Sequence, residues 1–215
     1  MKKILHILLI LSLGTSTLAQ DDQVAKRILD DFSSKTKTYK CIRAGFTLTS
    51  IDLKEETSDT YEGNITIKGE KFRLNVMDSE TYFDGETLWN YLPDVNEVNI
   101  SEPDPEDYII QNNPFRLFDE YQAKFKYKYI GEISEAGKIQ YEIDLFPINI
   151  EQEYSRIKIR IEKTSMDLHS AKYFRKDGYH FLVEISGMTA NPEIPDSHFT
   201  FIPSDHPGVE IIDLR

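Results

Sequence analysis

Hydrophobic positions change their spacing near residue 40 of the chain. Before that point Val24, Ile28, Leu29 and Phe32 recur at helical spacing, which predicts a helix that starts near Asp21 and ends within 33–38. Beyond it, apolar residues alternate with polar ones, as they do in half-buried strands. The chain is therefore predicted to be mainly β (α+β), with one leading helix.

The alternation predicts about ten antiparallel strands joined by short turns. A type I′ turn is predicted at Asp84-Gly85, because such turns need positive φ angles at both central positions, and Asp177-Gly178 predicts another tight turn. The strand-like stretches are 41–53, 61–69, 71–77, the two arms of a hairpin within 82–100, 124–133, 138–147, 155–163, 168–176, 179–188, 198–203 and 208–212. A sheet of that many strands is expected to curl or close, since a flat one would expose long edges.

The segment 103–121 interrupts the strand pattern. Pro103, Pro105 and Pro114 exclude it from the middle of a sheet, and two apolar clusters predict two short helical turns. The concave face of the curled sheet is the expected place for these helices.

The hairpin within 82–100 carries large apolar side chains on both faces. Leu88, Trp89, Tyr91 and Leu92 fall within one short strand, although a half-buried strand needs an apolar residue only at every second position. The second face is therefore expected to touch either more protein or a bound molecule.

Residues 1–19 have the organisation of a secretory signal peptide. Lys2 and Lys3 precede an apolar run that is too short to anchor in a bilayer, and Thr17-Leu18-Ala19 fits a cleavage site before Gln20. We expect an exported protein in which 20–215 forms a single domain.

Charge and cysteine content exclude several classes of protein. The formal net charge is −12, and loss of Lys2 and Lys3 with the signal peptide would make it −14. Such acidity argues against nucleic acid as a partner and against loose adsorption to anionic lipid. The single cysteine, Cys41, cannot form an internal disulfide.

Catalytic and metal-binding motifs are not found in the sequence. His169, His180, His198 and His206 have no partners at metal-ligand spacing, and there is no nucleophile elbow, P-loop or dinucleotide fingerprint. We therefore expect no enzyme activity, no metal and no cofactor. The 12 Phe, 12 Tyr and one Trp fit either an aromatic core or a ligand cavity, and a curled sheet favours the cavity.

Four stretches resemble the LolA family of periplasmic carriers of outer-membrane lipoproteins. They are GNITIKGEKFRLN (63–75), YFDGETLWNYLPDVNEV (82–98), NNPFRLF (112–118) and HFTFIPSDHPGVEI (198–211), in the order in which the family has them. The resemblance extends over essentially the whole chain after the signal peptide.

The resemblance implies an incomplete, curled antiparallel β-barrel with an N-terminal helix and a short helical lid over a hydrophobic cavity. The cavity residues that follow from it and from the alternation are Phe46, Leu48, Ile65, Ile67, Phe72, Leu74, Trp89 and Tyr91. The corresponding lid residues are Ile109, Ile110, Pro114, Phe115 and Phe118.

One departure from the family pattern concerns the latch of the lid. Family members often carry an Arg-Pro pair just before the Phe that matches Phe72, whereas this chain has Lys68-Gly69-Glu70-Lys71. A latch would have to use Lys68, Lys71 or Arg73, or be absent.

The function implied by the resemblance is that of a periplasmic, monomeric carrier of acylated lipoproteins. Its expected partners are an inner-membrane ABC-type lipoprotein-releasing transporter and an outer-membrane acceptor. The alternative is a related binding module that senses lipid or lipoprotein and reports it to a signalling protein.

Overall fold

The computed structural model describes residues 16–102 and 121–215, with the backbone alone for 16–20. The two helices of these ranges are α1 (Ser16–Thr36) and α2 (Tyr121–Lys124). The strands are β1 (Ile42–Asp52), β2 (Thr57–Lys68), β3 (Lys71–Val76), β4 (Ser79–Phe83), β5 (Leu88–Leu92), β6 (Glu97–Ser101), β7 (Phe125–Glu135), β8 (Lys138–Pro147), β9 (Tyr154–Glu162), β10 (Leu168–Arg175), β11 (Tyr179–Ala190) and β12 (Glu210–Asp213). Neither helix is long and apolar enough to cross a membrane.

All twelve strands belong to one open sheet in the order β12-β6-β5-β4-β3-β2-β1-β11-β10-β9-β8-β7. Neighbouring strands are antiparallel except β12, which runs parallel to β6. The outer strands β12 and β7 do not pair with each other, so the barrel is incomplete. The predicted mainly β, curled and unclosed architecture with a leading helix is confirmed.

Helix α1 covers one half of one face of the sheet, which we call the inner face. Its buried residues Ile28, Leu29 and Phe32 pack against the buried side chains of β8, β9 and β10, such as Ile143 and Ile159. The predicted apolar stripe of the helix is confirmed, and the helix already includes Ser16, the first described residue, and so extends N-terminal to the predicted start near Asp21.

The register of the strands fixes which residues share the inner face. Ala44 of β1 is opposite Ile65 of β2, which is opposite Leu74 of β3. Their neighbours Thr66 and Arg73 are likewise opposite each other and point away from α1. That second surface is called the outer face below.

The turn between β4 and β5 differs from the predicted type I′ turn. Gly85 has a positive φ of 104°, but Asp84 does not. The loop spans 84–87, and Asp84 Oδ1 accepts hydrogen bonds from the backbone N–H groups of Glu86 (3.0 Å) and Thr87 (2.9 Å). The Asp side chain therefore directs this turn by hydrogen bonding, as Asp commonly does in turns.

Residues 191–209, called the C-terminal segment, cross the outer face and lead into β12. The predicted strand at 198–203 is wrong, because two short 3-10 helices, Asp196–Phe199 and Pro203–Asp205, occupy this region. The alternation of Phe199 (0% exposed) and Phe201 (3%) reflects two side chains that anchor the segment, not a hydrogen-bonded ladder. The predicted strand at 208–212 corresponds to β12.

Candidate functional site: the inner face of the sheet

A cluster of apolar side chains lies on the inner face beside the part that α1 covers. Phe72 is fully buried, and its ring centroid lies 5.5 Å from that of Phe83. This inner cluster consists of Ile42, Ala44, Phe46, Ile65, Ile67, Phe72 and Phe83. Its side chains are packed as in an ordinary core, since each is at most 8% exposed.

A set of partly exposed apolar side chains surrounds the inner cluster. This inner rim consists of Tyr39, Leu48, Leu74, Val76, Leu88, Val183, Ile185 and Met188. The rim residues touch the cluster on one side and keep some of their own surface free. An apolar ligand could therefore cover the rim without displacing a packed side chain.

Six of the eight residues predicted for the cavity lie on this inner face. Leu48 and Leu74 belong to the inner rim. The other four belong to the packed cluster: Phe46, Ile65, Ile67 and Phe72. The sequence thus placed these six residues on one face, as the structure does, but did not separate the side chains that pack together from those that keep accessible surface.

Trp89 and Tyr91 lie on the outer face, so the register does not place them with Phe72. Phe83 is opposite both Phe72 and Leu88, which makes Leu88 the inner-facing residue of β5. Trp89 is opposite Tyr82 on the other face. The resemblance placed Trp89 and Tyr91 beside Phe72, whereas strand pairing separates them.

The outer face of the hairpin is covered by the C-terminal segment. The ring centroid of Tyr91 lies 5.3 Å from that of Phe201 and 4.4 Å from that of His206. Tyr82, Tyr91, Val98 and Phe201 are buried together here, with Trp89 packed against them, and are called the outer cluster. The second face of the hairpin therefore contacts more protein.

The three residues considered for a latch also lie on the outer face. Lys68 and Lys71 bind the two carboxylate oxygens of Asp196, at 2.6 and 2.7 Å. Arg73 donates a hydrogen bond to Glu80 (2.8 Å), and its guanidinium lies 4.5 Å from the ring centroid of Tyr82. Within the described ranges, these three residues therefore hold the C-terminal segment and β4 in place.

The lid residues Ile109, Ile110, Pro114, Phe115 and Phe118 lie outside the described residues.

Two carboxylates at these outer contacts have lowered pKa values. Hydrogen bonds from Lys68 and Lys71 lower the pKa of Asp196 to about 2. Burial opposes ionisation of Glu80, but hydrogen bonds from Tyr82 and Arg73 outweigh it and lower the pKa of Glu80. Both carboxylates are therefore charged in the folded protein at neutral pH.

Two buried tyrosines lie on the other half of the inner face, near α1. Burial raises the pKa of Tyr154 to about 12, and burial also raises the pKa of Tyr173. The Tyr173 hydroxyl has no hydrogen-bond partner within the described ranges, and its ring centroid lies 6.4 Å from that of Tyr154. Both phenols stay neutral, so this half of the inner face carries no charge at these positions.

Three of the four histidines considered in the sequence pack against aromatic rings. His180 lies against Phe174, His198 against Phe199, and His206 against Tyr91 and Phe201. Cys41 is buried, and burial raises the pKa of its thiol. In the ranges 16–102 and 121–215, no three His, Cys, Asp or Glu side chains are grouped for a metal ion.

A polar cleft of about 480 Å³ lies between the middle of β2, the end of β3 and the start of β4. Glu62, Asn64, Asn75 and Glu80 are among its lining residues, and none of the eight predicted cavity residues lines it. The cleft has the wrong polarity for an acyl chain, and the inner rim is the better candidate site.

Several rim residues were missed by the sequence reasoning. Val183 and Ile185 alternate within the predicted strand 179–188, but that stretch alone does not indicate which of its faces is the inner one. Leu88 belongs to the crowded hairpin and is not among the eight predicted cavity residues. The alternation in β11 was the available signal for Val183 and Ile185.

Known proteins share both the sequence pattern and the fold. An outer-membrane lipoprotein carrier protein of Histophilus somni (strain 2336) is 27% identical over 100% of this chain and 99% of its own length. An uncharacterized conserved protein from Thermus thermophilus has the same fold, with a TM-score of 0.57 and 12% identity over 87% of this chain and 98% of its own. A DUF1329 family protein from Desulfovibrio piger has a TM-score of 0.51 and 14% identity over 86% of this chain and 99% of its own.

The family assignment rests on a match to the model of the outer membrane lipoprotein carrier protein LolA. That match covers residues 36–202, from the end of α1 through the 3-10 helix at Asp196–Phe199 to the end of the outer cluster. It includes every strand of the inner cluster and the inner rim. The chain belongs to the LolA family.

Proposed function

We propose that the protein binds the acyl chains of lipoproteins at the inner rim and carries them through the periplasm towards the outer membrane. The observation that carries this proposal is the set of partly exposed apolar side chains on the inner face, beside a core that is already packed. Membership of the LolA family and the similarity to the lipoprotein carrier protein of Histophilus somni support the same class of cargo.

The energetics of such a carrier favour a partly exposed surface over a tight pocket. Each methylene that leaves water gains about 0.8 kcal/mol, so several acyl chains held in a closed pocket would approach the limit of non-covalent affinity, roughly 20 kcal/mol. For cargo that moves between two membranes, the relevant quantity is the difference in free energy between acyl chains bound at the rim and acyl chains in a bilayer, and this difference is small. A rim that keeps its own surface accessible can release the cargo again.

The proposal includes partners and a location. Residues 1–19 would direct export and be removed, and the carrier would act as a monomer in the periplasm. An ABC-type transporter of the inner membrane would load the lipoprotein, and an outer-membrane acceptor would receive it. The transfer makes and breaks no covalent bond, so neither catalytic residues nor a cofactor takes part.

A pair of adjacent substitutions in β11 tests the binding surface. Val183 belongs to the inner rim, while its neighbour Leu182 is opposite Thr49 and Lys172 on the outer face. Both side chains are partly exposed. Val183→Glu would place a carboxylate under the acyl chain, where its desolvation is costly. Leu182→Glu introduces the same charge one residue away and is the matched control.

The measurement is the affinity for a fluorescent fatty-acyl probe, with the melting temperature recorded for each variant. We expect the wild type and Leu182→Glu to bind the probe and Val183→Glu to lose it while remaining folded. A wild type without acyl affinity, or equal losses in both variants, would contradict the proposal. Mass spectrometry of lipids and lipoproteins that co-purify from the host would identify the cargo.

A further inference from the structure

The outer face of β7, β8, β9 and β10 carries an excess of positive charge. Six cationic side chains form the centre of this face, and two carboxylates, Glu142 and Asp144, lie between them. The cations, called the outer basic patch, are Lys126, Lys128, Arg156, Lys158, Arg160 and Lys172. Glu135, Glu162 and Glu184 lie at its borders, with Lys138 opposite Glu135, so the excess is reduced to seven cations against five carboxylates but is not reversed.

One row of residues across the four strands shows how the charges are arranged. Lys128 is opposite Asp144, Asp144 is opposite Lys158, and Lys158 is opposite Lys172. Like charges directly opposite each other destabilise a sheet. The stability of the sheet alone therefore does not account for the Lys158–Lys172 pair.

The two central carboxylates are already used by the cations of β9. Glu142 binds Lys158 (2.5 Å) and Arg160 (3.1 Å), while Asp144 binds Arg156 (2.9 Å). Burial opposes ionisation of Glu142, but these hydrogen bonds outweigh it and lower its pKa. Within 16–102 and 121–215, no carboxylate lies within ion-pair distance of Lys126, Lys128 or Lys172.

Protection of the sheet edge explains only part of the patch. Lysines on an edge strand such as β7 hinder pairing with another chain, which is a sufficient reason for Lys126 and Lys128. Arg156, Lys158 and Lys172 lie two and three strands away from that edge. Their positive potential also reaches His180, whose pKa is lowered by burial and then by Lys172 and Arg156.

Exposed apolar side chains adjoin the patch. Ile130 on β7 and Phe146 on β8 are 45% and 38% exposed, and Phe146 is opposite Lys126. Ile148 and Ile150, in the connection that follows β8, are 50% and 75% exposed. Basic residues together with exposed apolar ones are the combination that binds the interface of an anionic bilayer.

We propose that the outer basic patch, with Phe146, Ile148 and Ile150 beside it, docks the protein on an anionic phospholipid surface. The lysines and arginines contact the headgroups, and the apolar side chains enter the boundary between headgroups and acyl chains. The inner rim, on the opposite face of the sheet, stays free. This docking is a property of the outer face and holds whether or not the inner face carries lipoprotein.

The overall acidity of the chain does not oppose this docking at physiological salt. The formal charge of −12 is a sum over the whole sequence, and the patch concentrates cations on one surface. At 0.1 M salt the Debye length is about 10 Å, so charges on the far side of the molecule are screened from the bilayer. The local charge of the docked face therefore determines the electrostatic attraction.

Vesicle co-sedimentation tests the proposal. The protein, in the form in which its host accumulates it, is mixed at about 0.1 M salt with phosphatidylcholine vesicles that contain either no or one-third phosphatidylglycerol. We expect binding only to the anionic vesicles, and its loss at about 0.5 M salt, where screening is stronger. In the triple variant Lys126→Gln, Lys128→Gln, Lys172→Gln the affinity should fall on the order of a hundredfold, because each lysine near such a surface contributes about a fivefold factor.

Matched variants distinguish the effect of the patch from the effects of total charge and of exposed apolar residues elsewhere on the surface. The variant Lys37→Gln, Lys40→Gln, Lys54→Gln removes the same charge from exposed lysines elsewhere and should bind vesicles like the wild type. The variant Ile148→Asn, Ile150→Asn should release the vesicles, whereas Leu53→Asn, Val95→Asn should not, although Leu53 and Val95 are also exposed.

Two outcomes would overturn the proposal. A wild type that binds anionic and neutral vesicles equally, or neither, would leave an acidic protein surface as the alternative occupant of the patch. An equal loss in the patch variant and the Lys37, Lys40, Lys54 variant would show that only total charge matters. Acyl-probe binding, measured on the same variants, should not change, which keeps a failure of docking distinct from a failure of the carrier proposal.

Discussion

Lys68 Nζ donates a hydrogen bond of 2.6 Å to Asp196 Oδ1, which joins β2 to a residue 128 positions later in the chain. Lys71 binds the second oxygen of the same carboxylate, at 2.7 Å. The side chain of Asp196 is 60% exposed, so this double ion pair lies in solvent. Its role is to hold the C-terminal segment on the outer face, where Phe199 and Phe201 are buried.

Asp196→Asn is expected to destabilise the protein more at neutral than at acid pH. The folded-state pKa of Asp196 is lowered to about 2, below the ordinary value of 3.8. Its stabilising contribution is therefore complete above roughly pH 4 and is lost as the pH falls towards about 2. Urea unfolding of wild type and variant between roughly pH 7 and pH 2 measures this, and the difference should be smallest at the lowest pH. Glu193→Gln, on the same segment, is the control, and an Asp196→Asn effect that is constant with pH would contradict the prediction.

Phe72→Ala and Leu74→Ala should have opposite profiles of stability and binding. Phe72 is fully buried against Phe83, so its loss should cost about 3–5 kcal/mol of unfolding free energy, as in other packed cores. Leu74 belongs to the partly exposed rim, so its truncation should cost less than the roughly 2–5 kcal/mol of unfolding free energy expected for a fully buried Leu. It should, however, lower the affinity for the acyl probe more than Phe72→Ala does. Chemical denaturation and probe titration of both variants give the comparison. Equal stability losses would show that the rim is packed like the core.

Tyr91→Ala should loosen the C-terminal segment without changing the affinity for the acyl probe. Tyr91 is 7% exposed, packs on Phe201 and donates a hydrogen bond to Asn96 Oδ1 (3.1 Å). Removal of its ring is expected to cost about 3 kcal/mol and to speed proteolysis within 191–209. Limited proteolysis with mass spectrometry locates the cuts, and probe affinity is measured on the folded fraction. If probe binding is lost while 191–209 stays protected, Tyr91 belongs to the cargo site after all.

Gly63→Ala should destabilise the inner cluster, because the added methyl group would collide with the ring of Phe46. A Cβ atom at Gly63 would lie 2.5 Å from Phe46 Cζ and 3.0 Å from the backbone oxygen of Asn75. Overpacking of this kind typically costs about 1–3 kcal/mol, because Phe46 is buried and cannot move freely. Phe46→Leu should recover part of the loss in the double variant, as a double-mutant cycle of unfolding free energies would show. Strictly additive effects would mean that the two positions do not interact.

The local sequence pattern predicts much of the fold, because helices and strands are indicated by the spacing of apolar residues that are close in sequence. The stripe of Ile28, Leu29 and Phe32 predicted α1, and the alternation of Ile65, Ile67, Phe72 and Leu74 placed them on one face. Both signals depend only on the helical and two-residue periods of the backbone. Neither signal depends on how the elements pack against one another.

The hairpin shows where this reasoning stops. Because side chains alternate between the two faces of a strand, Trp89 and Tyr91 must share a face. Which face they share depends on the turns between β3 and β5. Met77-Asp78, with positive φ at both residues, joins β3 to β4 so that Phe72 is opposite Phe83. The inner-facing residue of β5 is then Leu88. Adjacent buried aromatics, Tyr82 and Phe83, were the sign that both faces of this hairpin are covered by protein.

The distinction between packed and accessible side chains was also beyond the sequence. Phe72 and Leu74 are two residues apart on the same face of β3, yet Phe72 is fully buried and Leu74 is not. The difference comes from neighbours on other strands, such as Phe83 and Ile67, and from the curl of the sheet. No local pattern encodes those distances.

The parallel pairing of β12 with β6 also affects how the chain can fold. Asn96, beside β6, donates a hydrogen bond to the carbonyl of Pro207, 111 residues later, and Glu210 follows into the ladder. Contacts between residues so far apart in sequence form slowly, because a long loop must be closed before they contribute. As the chain emerges N-terminus first, the outer side of β3–β6 stays uncovered until residues 191–213 have been synthesised. Tyr82, Trp89 and Tyr91 are then exposed apolar side chains in the nascent protein, and this is the stage at which a folding helper would protect it from aggregation.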